Sequence, residues 1–312
     1  MFLPVFQQVE TEKYGSANRR VYWISDNARN HLIGMLGEFI GTFIFLFFSF
    51  AGGQVANSKP AQLAAGCLLT SATPGSSVEQ VLYIALGFSV SLATTVFIFF
   101  RVSGGMFNPA VTFGLCMAGA VPWVRGALLV PTQVLSGIVA SYLASVIFPG
   151  PLTVAVSLGG GATVVQGLMI EMFTTALLVF TILMLAVEKS RATFMAPLVI
   201  GMALFLGHIT AINFTGAGIN PARAFGPDVV LGTFTTYHWI YWLGPVLGAI
   251  IAAVLHKVLK VLEYETCNPG QDDDGRGVYH VVQKDIAQIM NGSKHSRTNT
   301  AASISSTVKP VS

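Results

Sequence analysis

Two short stretches of this chain place unusual chemistry between apolar runs. "MFNPAVTFG" (106–114) contains Asn108, Pro109 and Ala110. "GINPARAFG" (218–226) contains Asn220, Pro221 and Ala222, followed at once by Arg223. Asn before Pro is an ordinary way to start a helix: the Asn side chain caps it, and Pro sits where its missing N–H costs nothing. One copy would mean little, but two copies at matching places need a common cause. A helix start exposes unpaired N–H groups and about half a positive charge. In apolar surroundings such an end can hydrogen-bond a neutral polar molecule and oppose a cation. Arg223 adds a full charge where charge is expensive. No nucleophile–base set and no His/Cys/Asp/Glu cluster with metal spacing occurs in the sequence. We therefore expect neither an enzyme nor a bound metal or cofactor.

The elements that hold these motifs follow from composition. The chain has 312 residues, 53% of them hydrophobic and 10% charged. A soluble domain carries about 25% charged residues, so much of this surface must face lipid. Six apolar runs, near 32–53, 80–100, 125–148, 164–187, 194–213 and 235–258, match the length of about 20 residues that a helix needs to cross a bilayer. The chain also repeats itself. "GEFIGTFIFLF" (37–47) matches "IEMFTTALLVF" (170–180), which pairs Glu38 with Glu171 just as Asn108 pairs with Asn220. Three crossings per half is an odd number, so the halves must lie inverted in the membrane. The segments after each motif, 110–120 and 222–230, are too short to cross and must enter and turn back. The expected fold is an all-α membrane protein: six transmembrane helices plus two re-entrant half-helices that meet head to head, in an inverted 3+3 repeat.

Glu38 and Glu171 fall inside spans, where a carboxylate is either functional or a structural acceptor. Their pairing with the two loops favours loop bracing over proton transfer. With so few carboxylates available, an ion-coupled transporter is disfavoured. Gly37/Gly41 and Gly244/Gly248 have the small-residue spacing of closely packed helices.

Lys13, Arg19, Arg20 and Arg29 precede the first run. Arg101, Arg125, Lys189, Arg191, Lys257 and Lys260 fall on the same side, against Lys59 and Arg223 on the other. This bias puts both termini in the cytoplasm. We expect a cytoplasmic N-terminal tail (1–31) without a cleavable signal, a membrane region (32–262, repeats at about 32–148 and 164–262) and a disordered cytoplasmic tail (263–312). In that tail Ser296 and Thr298 are candidate phosphorylation sites, and Tyr14, Tyr22 and Trp23 at the other end are candidates for a plug. The net charge is +3 and no basic stripe occurs, so no nucleic-acid partner is expected. Cys67, Cys116 and Cys267 have no spacing for a disulfide framework or metal site.

The doubled Asn-Pro-Ala, the paired Glu38 and Glu171, and "GINPARAFG" resemble the aquaporin (major intrinsic protein) family over about residues 32–262, in its water-selective and fungal form. The resemblance implies a homotetramer in the lipid bilayer, with one pore per subunit, and the plasma membrane is the expected site. It also implies that Asn108 and Asn220 turn their side-chain amides into the pore. A four-residue selectivity filter is implied too. It comprises Phe88 from "LGFSVSLATT", His208 from "FLGHITAINFTG", Ala217 from "TGAGINPAR", and Arg223. Glycerol-conducting members would have a small residue at 208, a bulky apolar one at 217 and Asp where Ala224 stands. "HWIYWLGP" (238–245), with Tyr241 and Trp242, also resembles the water type. The implied function is a passive, proton-excluding water channel. The alternative permeants are hydrogen peroxide or other small neutral solutes, glycerol included. One departure is Met106, which stands where the family often has His.

Overall fold

The computed structural model describes residues 25–57 and 77–268. Most of both tails, Lys59, Cys67, and the tail residues Tyr14, Tyr22, Trp23, Ser296 and Thr298 lie outside the described residues. Among the described residues there are helices and no strand. The long helices are α1 (Asp26–Ala56), α2 (Val78–Phe99), α4 (Trp123–Ile147), α5 (Val164–Ile182), α6 (Ala196–Thr215) and α8 (Ile240–Val261). Two short ones, α3 (Pro109–Ala118) and α7 (Pro221–Leu231), follow the repeated motifs. With short irregular turns added to α5 and α6, all six long elements are long and apolar enough to span a membrane.

Local chemistry explains most of the boundaries. Ser25, Ser77 and Thr163 cap α1, α2 and α5, and Thr163 forms a reciprocal capping box with Gln166. Helix α1 starts six residues before its apolar run. Its first turn is polar, with an Asp26–Arg29 pair at 3.0 Å, and the apolar pattern alone does not register it. Helix α8 starts five residues late. Residues 235–239 make i→i+3 turns instead, because His238 is drawn to Asp228 of α7, with Nδ1 and Oδ2 2.7 Å apart. Gly119, Gly216 and Gly232 close α3, α6 and α7 in the left-handed region, where a residue without a Cβ is unstrained.

The halves pack as matching sets. Helix α1 packs on α2 and α4, as α5 packs on α6 and α8. Helices α2 and α6 pack against each other and join the two halves. Each half-helix leans on the last helix of the other half, α3 on α8 and α7 on α4. Glycines make these approaches possible. A Cβ on Gly226 of α7 would fall 2.5 Å from the Gly137 carbonyl oxygen of α4, and a Cβ on Gly137 would fall 2.5 Å from that of Ala222. Backbone cannot yield as a flexible side chain can, so neither position takes a larger residue.

Contacts between elements sort the loops into two faces. On one, Arg125 at the start of α4 reaches the Asn30 carbonyl of α1. There too Lys189 lies over the Phe100 ring, and Glu188 binds His256 and Lys260 near the end of α8. Burial tends to raise the Glu188 pKa. The bonds from His256 and Lys260 outweigh it and hold the carboxyl below its ordinary range. The other face carries the end of α1, the start of α2, the 148–163 connection and the end of α7. Helix α3 runs toward the first face and α7 toward the second. With 10 and 11 residues they have a combined rise of about 30 Å, the thickness of a bilayer core.

Candidate functional site

The half-helices meet N-terminus to N-terminus near the middle of the bundle. Asn108 caps α3, its Oδ1 accepting from Ala110 N at 2.9 Å. Asn220 caps α7 the same way, accepting from Ala222 N at 2.9 Å. The caps are also cross-linked. Asn108 Nδ2 donates to the Ile219 carbonyl at 3.1 Å, and Asn220 Nδ2 donates to the Phe107 carbonyl at 2.9 Å. Each amide thus spends one hydrogen on the opposite loop and keeps one free. Both residues border a cavity of about 10 Å³, room for about a single water. The rest of its wall is apolar, with Leu92, Val111, Leu178, Ile182, Ile200 and Leu204, and it includes Met106.

The backbone before each Asn is forced into shape. Phe107 and Ile219 have φ of 50° and 55°, and Ala217 has 54°. The left-handed region is unfavourable for bulky and β-branched residues, at about 1–3 kcal/mol each. The reward is geometric, since a change in the sign of φ between neighbours turns successive N–H groups to one side, as in an anion-binding nest. The anion here is a buried side-chain carboxylate. Glu38 accepts from Met106 N at 3.1 Å, Phe107 N at 2.8 Å, Ser103 Oγ at 2.6 Å and Gln133 Nε2 at 2.8 Å. Glu171 accepts from Gly218 N at 2.8 Å, Ile219 N at 2.5 Å and Thr215 Oγ1 at 2.6 Å. Both carboxylates are fully buried.

Toward the second face the passage meets Phe88, His208 and Arg223. The Phe88 and His208 rings lie 4.4 Å apart, centroid to centroid. Arg223 Cζ lies 5.1 Å from the Phe88 centroid and 5.8 Å from that of Phe50. Phe45 and Phe50 press edge-on against Phe88 and fix its plane. Arg223 Nη1 donates to the Val154 carbonyl at 2.8 Å and Nη2 to the Gly216 carbonyl at 3.3 Å. His208 Nδ1 donates to the Leu204 carbonyl at 3.0 Å, which leaves Nε2 as an acceptor. Two polar atoms here are buried without a partner, His208 Nε2 and Arg223 Nε. Ala217 follows Gly216 in the chain and is fully buried. Above this constriction opens a cavity of 290 Å³, lined in part by Phe88, Arg223, Asn57, Thr153 and Val154.

Several residues that matter here were not singled out from sequence. Phe50 and the carbonyls of Val154 and Gly216 hold Arg223. Asp228 and His238 join Trp242, named above, in a chain that ties the end of α7 to α8, with Trp242 Nε1 donating to His238 Nε2 at 3.3 Å. A legible signal did exist for Val154: "LTVAVSL" (152–158) alternates, and Leu152, Val154 and Val156 are buried. Cys116 is buried where α3 meets α4, and a Cβ on Gly126 would strike its Sγ.

Comparison with known proteins follows the same lines. The family model described as Major intrinsic protein matches residues 27–256. Aquaporin-7 of Botryotinia fuckeliana (strain B05.10) is 51% identical over 281 residues, 90% of this chain and 60% of that protein. Aquaporin-1 of Gibberella zeae (strain ATCC MYA-4620 / CBS 123657 / FGSC 9075 / NRRL 31084 / PH-1) is 48% identical over 272 residues, 87% of this chain and 81% of that one. Against Aquaporin-5 of Botryotinia fuckeliana (strain B05.10) the chain spans 49% of the relative's length. It thus spans about half to three-fifths of several relatives it matches. The X-ray structure of the aquaglyceroporin from Plasmodium falciparum shares the fold, with a TM-score of 0.61 at 19% identity, covering 74% of this chain and 98% of that one. With six membrane-length helices, two opposed half-helices and a family match over most of its length, the chain belongs to the major intrinsic protein family of membrane channels.

Proposed function

We propose that this protein is a passive water channel that excludes protons, with Phe88, His208, Ala217 and Arg223 as its selectivity filter. The observation that carries the reading is the pair of unpartnered atoms at the constriction. His208 Nε2 can only accept a hydrogen bond, and Arg223 Nε can only donate one. A permeant that replaces its hydration shell there must donate and accept within a very small volume. Water does both. The close Phe88–His208 contact supports discrimination by size, and the Arg223 charge opposes cations.

The opposed half-helices supply the second barrier. Two helix N-termini face each other across the Asn108–Asn220 pair, each with about half a positive charge. Cations are repelled, and water oxygens turn toward the pair. Water above and below then points in opposite senses, which disfavours a continuous proton wire. Each free Asn hydrogen is available to a passing oxygen. Hydrogen peroxide is the runner-up permeant, because it too donates and accepts at one small site.

The assembly and placement belong to the same reading: a channel region at 32–262, a homotetramer, both termini cytoplasmic and the plasma membrane as its site. The Lys/Arg bias supports the orientation.

Replacing His208 by glycine removes both the acceptor and the ring that narrows the passage. In proteoliposomes followed by stopped-flow light scattering, the glycerol-to-water permeability ratio is expected to rise about tenfold or more. A ratio equal to wild type would take His208 out of the filter.

A further inference from the structure

Arg223 has no ion-pair partner among the described residues. Its guanidinium is held by two carbonyls and two aromatic faces. The shorter of the two carbonyl bonds goes to Val154, on a stretch with neither helix nor ladder to steady it. Extended backbone of that kind drifts unless side chains fix it. The anchors come from the end of α1, about a hundred residues away in sequence.

Gln54, 8% exposed, serves this stretch as a neighbouring strand would. Its Nε2 donates to the Pro151 carbonyl at 2.7 Å, and its Oε1 accepts from Thr153 N at 3.0 Å and Thr153 Oγ1 at 3.0 Å. Asn57, one turn further on, donates from Nδ2 to the Thr153 carbonyl at 2.9 Å. Gln80 of α2 donates to Asn57 Oδ1 at 2.5 Å and so orients that amide. Both backbone groups of Thr153, directly ahead of Val154, are therefore pinned. The Val154 side chain lies over Gly53, where an added Cβ would come within 2.9 Å of its Cγ1. The peptide that leads into Val154 and the Val154 side chain are thus both held, and its carbonyl follows from them.

We infer that Gln54, assisted by Asn57, is a positioning residue of the filter: it fixes the Val154 carbonyl and through it the place of the Arg223 guanidinium. The inference rests on the filter reading proposed above. A residue that merely tethered a loop would change how much protein folds. A positioning residue changes which solutes pass.

The experiment is a double-mutant cycle on the full chain in proteoliposomes, with flux normalised to protein per vesicle. Gln54→Leu keeps the volume and removes all three bonds. The glycerol-to-water permeability ratio is expected to rise about tenfold, because the guanidinium then samples positions that widen the passage. In an Arg223→Val background the same change is expected to shift the ratio less than twofold, since the group it positions is gone. Asn57→Ala, at a partly exposed site, is expected to raise the ratio about threefold, and it carries the test if Gln54→Leu does not fold. Unchanged ratios in both single variants, or an equal shift with and without Arg223, would overturn the inference while leaving the filter standing. A wild-type ratio in Arg223→Val itself would bring down the filter reading, and this one with it.

Discussion

Arg223→Val is expected to raise the glycerol-to-water permeability ratio by about 10–100-fold and to admit small cations that the wild type excludes. The magnitude follows from the contacts. The guanidinium makes two hydrogen bonds to carbonyls and offers Nε to the permeant. A hydrogen bond to a charged group contributes about 1.5–3 kcal/mol, and each 1.4 kcal/mol is about a factor of ten. Valine also removes much of the bulk opposite the Phe88 and His208 rings. Water flux itself is expected to change by less than about threefold, since water is smaller than the widened opening. The measurement is stopped-flow shrinkage and reswelling of proteoliposomes in a glycerol gradient, with a potential-sensitive dye for cation leak. An unchanged ratio would mean that solutes are not selected at Arg223.

Glu171→Gln is expected to act on the fold and not on selectivity. The two carboxylate oxygens accept three hydrogen bonds, and each oxygen takes one from a backbone N–H, of Gly218 or Ile219, that can never accept. Whichever way the glutamine amide turns, its NH₂ faces a donor. One buried N–H left unpaired costs about 1–3 kcal/mol. That bond also holds Ile219 at φ 55°, a conformation worth about 1–3 kcal/mol of strain. Losing the bond releases that strain instead of adding to it, so the cost stays at about 1–3 kcal/mol, against a typical folding free energy of about 5–15 kcal/mol. Folded yield on size exclusion is expected to fall severalfold and the unfolding midpoint in detergent by about 5 °C. Glu38→Gln is expected to act in the same direction, because each Glu38 oxygen likewise accepts from one backbone N–H, of Met106 or Phe107. Wild-type stability in Glu171→Gln would show that the loop holds itself.

The fold was legible because lipid leaves the chain few options. A run such as 164–187 can only be a spanning helix, and a run as short as 222–230 can only turn back. Helix ends were less legible, because Asp26–Arg29 is polar and His238 answers to Asp228 instead of its own helix. At the site, the side chains quoted from sequence converge: Asn108 with Asn220, and Phe88 with His208 and Arg223. What holds them was hidden for physical reasons. Phe107 and Ile219 are poor candidates for left-handed backbone, so nothing in their identity announces it. The Val154 and Gly216 carbonyls are backbone groups, which no residue type marks. Gln54 and Asn57 read as the fraying end of a span until the 152–158 stretch is laid beside them.

The decisive comparison is of water, glycerol and proton flux, measured in parallel on wild-type protein in proteoliposomes. A water-selective channel gives fast water flux with an activation energy close to that of free diffusion, glycerol flux at the level of empty vesicles and no proton leak. Glycerol flux comparable to that of water would contradict a filter built on His208 and Arg223, and proton flux would contradict the barrier between the half-helices.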